Sequence, residues 1–122
     1  MTRINVIDPK SLTNKHLLAE YREITRIANY LTKAKNLIIP TNYTMGTGHV
    51  RFFYDKGLFL QKRTEALYLE CQCRHFKVSY KAYNILAHKA DYRKDYTPTE
   101  QDKQINIARI NERLNKVKVA LI

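Results

Sequence analysis

The sequence predicts an all-α fold, a single compact domain of three main helices joined by irregular loops and spanning residues 1–122. Three observations predict it: an apolar stripe at helical spacing, a second helical run ending near two cysteines, and a capped third run. Strand-like alternation is weak throughout, and no repeat or low-complexity tract divides the chain. The first helix opens after Ser11-Leu12-Thr13-Asn14, a cluster of good N-caps, and is expected to run to about Asn36. Leu17, Tyr21, Ile24, Ala28 and Leu31 fall on one face at i, i+4, i+7, i+11 and i+14. The second is expected from about Val50 or Asp55 to His75. Leu60, Leu67 and Cys71 mark its inner face, and Gly57 is a weak point near its start. The third opens at Thr97-Pro98-Thr99-Glu100, with Thr97 as N-cap, Pro98 in the first helical position and Glu100 closing a capping box. Ile107, Ile110, Leu114 and Val117 form its expected buried stripe. The connection from Pro40 to Gly48 is turn-rich. The stretch from Lys77 to Tyr96 is polar, tyrosine-rich and expected to be irregular with one short helical turn.

Charge narrows the partners. Twenty-two lysines and arginines against 11 acids give a formal charge of +11 on 122 residues. An excess of one sign on so small a chain favours a polyanion, with nucleic acid ahead of an anionic membrane surface. No signal peptide and no membrane span is evident, so a cytoplasmic location is expected. Cys71 and Cys73 are spaced C-x-C within a helix, which turns them about 200° apart, and matching metal ligands are missing elsewhere. Reduced packing thiols are expected, with no metal and no cofactor.

On a helical wheel at about 100° per residue, Lys15, Arg22, Arg26 and Lys33 fall within about 40° of one another, opposite the apolar stripe. Glu23 and His16 sit on the border. A solvated charged face with an ordinary Glu–Arg pair would account for this. A phosphate-gripping stripe with a carboxylate at its edge would account for it too, and phosphates repel carboxylates, so Glu23 then suggests chemistry rather than affinity. Thr2 follows the initiator methionine, and a small residue there favours methionine removal and a free α-amine. With a reference pKa near 7.7–8.0, roughly a tenth or more of such an amine is neutral at pH 7, against about a thousandth for lysine.

Several blocks of residues resemble a known family. They are Thr2-Arg3-Ile4-Asn5, then His16-Leu17 with Ala19-Glu20-Tyr21-Arg22-Glu23 and Arg26. A second block is Gly46-x-Gly48-His49-Val50-x-Phe52-Phe53-Tyr54-Asp55-Lys56. A third is Asp95-Tyr96-x-Pro98 with Ala108-Arg109 and Glu112-Arg113. In order and content they resemble the pyrimidine-dimer DNA glycosylase/AP lyase family of the bacteriophage endonuclease V type. The resemblance implies an enzyme whose N-terminal amine, here of Thr2, attacks C1′ of the damaged nucleotide and forms a Schiff base, followed by β-elimination. It implies that Glu23 stabilises the cationic sugar and helps remove the C2′ proton. It places Arg3, His16, Arg22 and Arg26 around the lesion, and Arg109 and Arg113 on the DNA backbone, with base extrusion from the duplex. Lys15 and Lys33 complete the expected DNA-binding set. The expected partner is lesion-containing double-stranded DNA, bound by a monomer.

The C-terminal run from Lys116 to Ile122 lacks the aromatic residues that the resemblance associates with dimer recognition. An AP lyase or a glycosylase for another base lesion is therefore an alternative. A non-catalytic basic DNA-binding protein and an RNA-directed module using His16 and His49 are further ones. His49 and Phe52-Phe53-Tyr54 are read as structural. Tyr80, Tyr83, Tyr92 and Tyr96, interleaved with Lys81, Lys89, Arg93 and Lys94, suit either base stacking or core closure.

Overall fold

Thr13 settles which of the clustered caps begins the first helix. In the computed structural model its backbone is extended and its Oγ1 accepts the His16 N–H, so α1 runs Asn14–Ile24. The structure describes residues 3–33, 37–46 and 48–121, with side chains through residue 114. Leu17, Tyr21 and Ile24 turn inward as the periodicity predicts, and so does Glu20. The expected single helix to Asn36 is interrupted. At Thr25 the backbone N–H turns to the Glu23 carbonyl, and a short α2, Arg26–Leu31, follows. Ile24 and Thr25 are both β-branched, which weakens the helix there. Ala28 and Leu31 remain buried beyond the break. The expected end at Asn36 lies outside the described residues.

A 3-10 turn at Arg51–Phe53 leads to α3, Gly57–Cys73, which is shorter at both ends than the sequence suggests. Leu60, Leu67 and Cys71 face inward as expected, joined by Arg63 and Thr64. The C-terminus of α3 closes on His75 at φ 61, with His75 N–H donated to Gln72 O and Phe76 N–H to Cys71 O. Arg74, at the same end, donates to Pro9 O, Leu12 O and Asn14 Oδ1, and so ties α3 to the approach to α1.

Gly57 is not a weak point but a close approach. A Cβ built there would lie 2.9 Å from the His88 ring. His88 cannot step aside, because Nδ1 donates to Tyr54 O at 2.7 Å and Nε2 accepts from the Tyr83 hydroxyl at 2.6 Å. Gly57→Ala is expected to destabilise by about 1–3 kcal/mol through this overpacking, despite alanine's better helix propensity. Urea unfolding checks it; an unchanged or raised midpoint would mean that the ring moves freely.

Residues 77–96 form an irregular strap with two 3-10 turns, Ile85–Ala87 and Ala90–Tyr92, rather than one. Tyr21 pins it to α1, its hydroxyl donating to Ser79 O and accepting from Lys81 N–H. Lys94 O accepts from Leu58 and Phe59 N–H at the start of α3. Tyr83 is buried, and Tyr96 packs edge-on against Phe52 and Phe59, so these two tyrosines close the core. Tyr80 is exposed and hydrogen-bonds Glu65.

The last helix, α4, is Glu100–Leu121, and its cap lies two residues later than expected. Thr99 Oγ1 accepts from Asp102 N–H, while the Asp102 carboxylate accepts from Thr99 N–H, so the capping box is Thr99–Asp102 and not Thr97–Glu100. That shift also corrects the buried face. Ile110 and Asn106 are buried, whereas Ile107 and Leu114 are each 37 % exposed. Val117 lies among the residues whose side chains are not described.

The outcome is an all-α fold, with no strand among the described residues beyond an isolated bridge between Lys56 and Arg93. One core cluster joins Ile4, Val6 and Ile7 of the N-terminal segment to α1, Phe52, Phe53, α3 and Ile110 of α4. Cys71 is buried and Cys73 exposed, both as free thiols. No described helix is long and apolar enough to cross a membrane.

Candidate active site

The segment Arg3–Ile7 belongs to no helix or strand, so its buried peptide groups must find side-chain partners. Three surrounding regions supply them. Asn106 of α4 accepts Val6 N–H at 2.7 Å and Ile7 N–H at 3.3 Å on one oxygen, and its amide donates to Asn5 Oδ1. Asn5 in turn donates to Glu20 of α1. Arg63 of α3 grips the same carboxylate with two bonds, at 2.8 and 3.0 Å, and donates its third to Ile7 O. From the loop before α3, His49 Nε2 accepts Ile4 N–H at 2.8 Å and the Tyr43 hydroxyl donates to Ile4 O. Gly48, at φ +88, makes the turn that sends His49 inward.

Beside this segment opens a cavity of about 690 Å³. Its basic wall is Arg3, Lys15, His16, Arg109 and Arg113; Ala19, Met45, Ile110 and Leu114 provide an apolar side; Asn5, Thr13, Asn14, Glu20 and Glu23 complete it. Burial and the neighbouring Arg109 and Arg113 lower the proton affinity of the Arg3 guanidinium. Burial, Lys15 and Arg113 likewise pull the His16 imidazole below its usual range. Thr13 Oγ1 accepts the His16 backbone N–H and lies 2.6 Å from His16 Nδ1, so it holds the ring at the start of α1. Arg109 Nε is buried without a hydrogen-bond partner among the described residues.

The two carboxylates of the cavity differ in kind. Glu20 is 1 % exposed and saturated by Arg63 and Asn5. Glu23 is half-buried in the last turn of α1 and makes no hydrogen bond or ion pair with any described residue. Six of the residues singled out from sequence thus meet at one cavity: Arg3, Lys15, His16, Glu23, Arg109 and Arg113. Arg22, Arg26 and Lys33 do not line it; they are exposed on the outer side of α1, at the start of α2 and just past its end. The break at Thr25 means that the expected stripe is not carried by one continuous helix. Thr2 and Thr47 lie outside the described residues, although Thr2 is joined directly to Arg3.

Nothing in the sequence alone gives Asn5, Glu20, Arg63 and Asn106 a role at the site. A signal for them existed only in part: Glu20 sits at i+3 from Leu17 and i−4 from Ile24, on the apolar stripe. Its partner Arg63, 43 residues away, carries no such mark.

A family model described as pyrimidine dimer DNA glycosylase matches residues 1–84. The chain belongs to the pyrimidine dimer DNA glycosylase family. These are enzymes of DNA repair, so lesion-bearing DNA is the partner the family implies. The match takes in Arg3, the helix bearing Glu20 and Glu23, His49 and Arg63, and it ends at Asn84. Arg109, Ile110, Arg113 and Leu114, which line the cavity from α4, lie beyond it, and so does Asn106.

Two buried histidines tie this glycosylase fold to pH. His49 donates from Nδ1 to Thr44 O and accepts at Nε2; His88 is held in the same tautomer between Tyr54 and Tyr83. Burial lowers both pKa values, helped by Arg3 at His49 and by Arg93 at His88. The unfolded chain therefore binds protons at a pH where the folded chain does not. Stability is full above the unfolded imidazole pKa of about 6.5 and falls as the pH drops below it. Urea midpoints at pH 7.5 and 5.5 check this, and equal midpoints would refute it.

Proposed function

We propose that this protein cleaves the N-glycosidic bond at a pyrimidine dimer and then nicks the resulting abasic site as an AP lyase. The amine of Thr2, freed by removal of Met1, is the nucleophile. The observation that carries this reading is the uncommitted Glu23 carboxylate, facing a basic cavity beside a firmly held N-terminal segment. A carboxylate left without a partner among arginines weakens phosphate binding, so its value must lie in chemistry.

The amine nitrogen forms a bond to C1′ while the bond from C1′ to the base breaks, the base leaving with the electron pair. Opening of the sugar ring gives the C1′=N imine, an electron sink for the next step. Glu23 offsets positive charge as it develops on the sugar and takes the C2′ proton; the 3′ phosphate then leaves by β-elimination. Arg3, Lys15, Arg109 and Arg113 bind phosphates at the cavity, and Arg22, Arg26 and Lys33 extend that surface outward. His16 borders the same site. Water then hydrolyses the imine and restores the amine. No metal or cofactor takes part, and a single chain supplies every group.

A borohydride trap followed by intact mass tests the reading, with one duplex carrying a cyclobutane dimer and another an abasic site. An adduct with both, mapped to the Thr2 amine, is expected. An adduct with the abasic duplex alone would leave a lyase for another lesion, and none with either would leave a binding protein. With a formal charge of +11, affinity should also fall by orders of magnitude between low and physiological salt, as for roughly six or more neutralised phosphates. A salt-independent binding constant would contradict the phosphate contacts.

A further inference from the structure

The bonds to Ile4 differ in purpose from those that follow them. Val6 and Ile7 are fastened by Asn106 and Arg63, and their side chains are buried in the core. Those contacts suffice to keep the segment folded in place. Ile4 is gripped separately and on both sides of its residue, its N–H by His49 and its C=O by Tyr43. Among the described residues these are the backbone hydrogen bonds nearest the N-terminus. The grip is itself braced. His49 Nδ1 donates to Thr44 O, Tyr43 and Phe53 meet the imidazole edge-on, and both clamp residues are buried. Arg3, between the clamp and Thr2, lines the cavity that holds Glu23.

We propose that His49 and Tyr43 are positioning residues for the attacking amine, fixing the Ile4 backbone two residues from the Thr2 nitrogen so that the terminus is held at the cavity. This rests on the amine-nucleophile reading above. A nucleophile carried on the end of a chain has no side-chain rotamer to restrain it, so its local concentration depends on the last fixed point of the backbone. With the clamp, that point is Ile4. Without it, the nearest backbone hydrogen bond is at Val6; the Ile4 side chain stays buried and Asn5 keeps its side-chain bonds, but the peptide groups on either side of Ile4 gain rotational freedom. The neutral imidazole suits the task because it accepts through one nitrogen while the other, donating to a carbonyl, fixes the ring orientation and tautomer.

The test uses the full-length protein confirmed to begin at Thr2, on an abasic-site duplex under single-turnover borohydride trapping, with affinity measured separately. His49→Leu removes the acceptor and is expected to slow trapping about 10- to 100-fold, while affinity changes by less than about threefold. His49→Gln keeps an acceptor within reach of the Ile4 N–H and is expected to recover most of the rate. Tyr43→Phe keeps the ring packing, loses the hydroxyl with its contacts to Ile4 O and Met45 Sδ, and is expected to slow trapping about 3- to 10-fold; it decides the matter if His49→Leu does not fold. Unchanged trapping in folded His49→Leu or in Tyr43→Phe would overturn the positioning role while the amine mechanism stands. Parallel losses of rate, affinity and melting temperature, with no recovery by glutamine, would assign the clamp to stability alone. A wild-type protein that gives no Thr2 adduct would overturn both readings together.

Discussion

Glu23→Gln is expected to lower strand cutting about a thousandfold or more while leaving affinity for lesion DNA intact or slightly raised. The substitution keeps size and shape and removes only the charge. Two contributions go with it: offset of the cationic sugar, with a typical worth of about 10²–10³, and proton removal from C2′, typically about 10²–10⁴. A thousandfold corresponds to about 4 kcal/mol of transition-state stabilisation. The sign of the binding effect is as informative as the rate. Glu23 makes no ion pair with any described residue, so its charge repels phosphate without holding an arginine in place. Single-turnover cutting and filter-binding affinity on one oligonucleotide separate the two effects. A variant that cuts at the wild-type rate would remove Glu23 from the chemistry, and one that loses affinity in step with rate would make it a structural residue.

Arg63→Met is expected to be the most damaging single change to stability, at about 3–5 kcal/mol. Glu20 is 1 % exposed, and Arg63 supplies two of the three hydrogen bonds to its carboxylate. Removing the arginine strands a buried charge and also frees Ile7 O. Against a typical total of about 5–15 kcal/mol for a native protein, the loss is a large fraction. Adding Glu20→Gln to the same chain should restore much of it, because the stranded charge goes while Asn5 keeps its acceptor. Urea unfolding of the single and double variants checks the pair. A loss below about 1 kcal/mol in Arg63→Met would show that water reaches the carboxylate. A double variant no better than the single would place the cost in the lost Ile7 contact.

Much of the helical layout could be read along the chain. Leu17, Tyr21, Ile24, Ala28 and Leu31 are buried as their spacing predicts, because helical periodicity depends only on local geometry. Boundaries were less legible. The capping box of α4 was misplaced because Thr97-x-x-Glu100 and Thr99-x-x-Asp102 have the same local chemistry. Tyr96 packs between Phe52 and Phe59, and its hydroxyl bonds Asp102, which adds a tertiary contact to the second of these boxes. Gly57 looks like a helix defect in the sequence for the same kind of reason. The cost of a glycine in a helix is local, whereas the benefit lies in His88, 31 positions further on, whose ring occupies the missing Cβ.

The sequence by itself determined the helical class, the charge that favours a polyanionic partner, and the family, through residues close together in the chain. Only the tertiary structure decided how the two acids of α1 divide. Glu20 and Glu23 are three positions apart, both reach the cavity, and nothing local distinguishes their chemistry. Arg63, Asn5 and Asn106 make the difference, arriving from the N-terminal segment and from helices 43 and 86 positions beyond Glu20. A buried carboxylate must be paired, and a pairing of that span is fixed by packing rather than by periodicity. The pairing commits Glu20 to holding the N-terminal segment in place, while Glu23 stands at the cavity with no partner among the described residues.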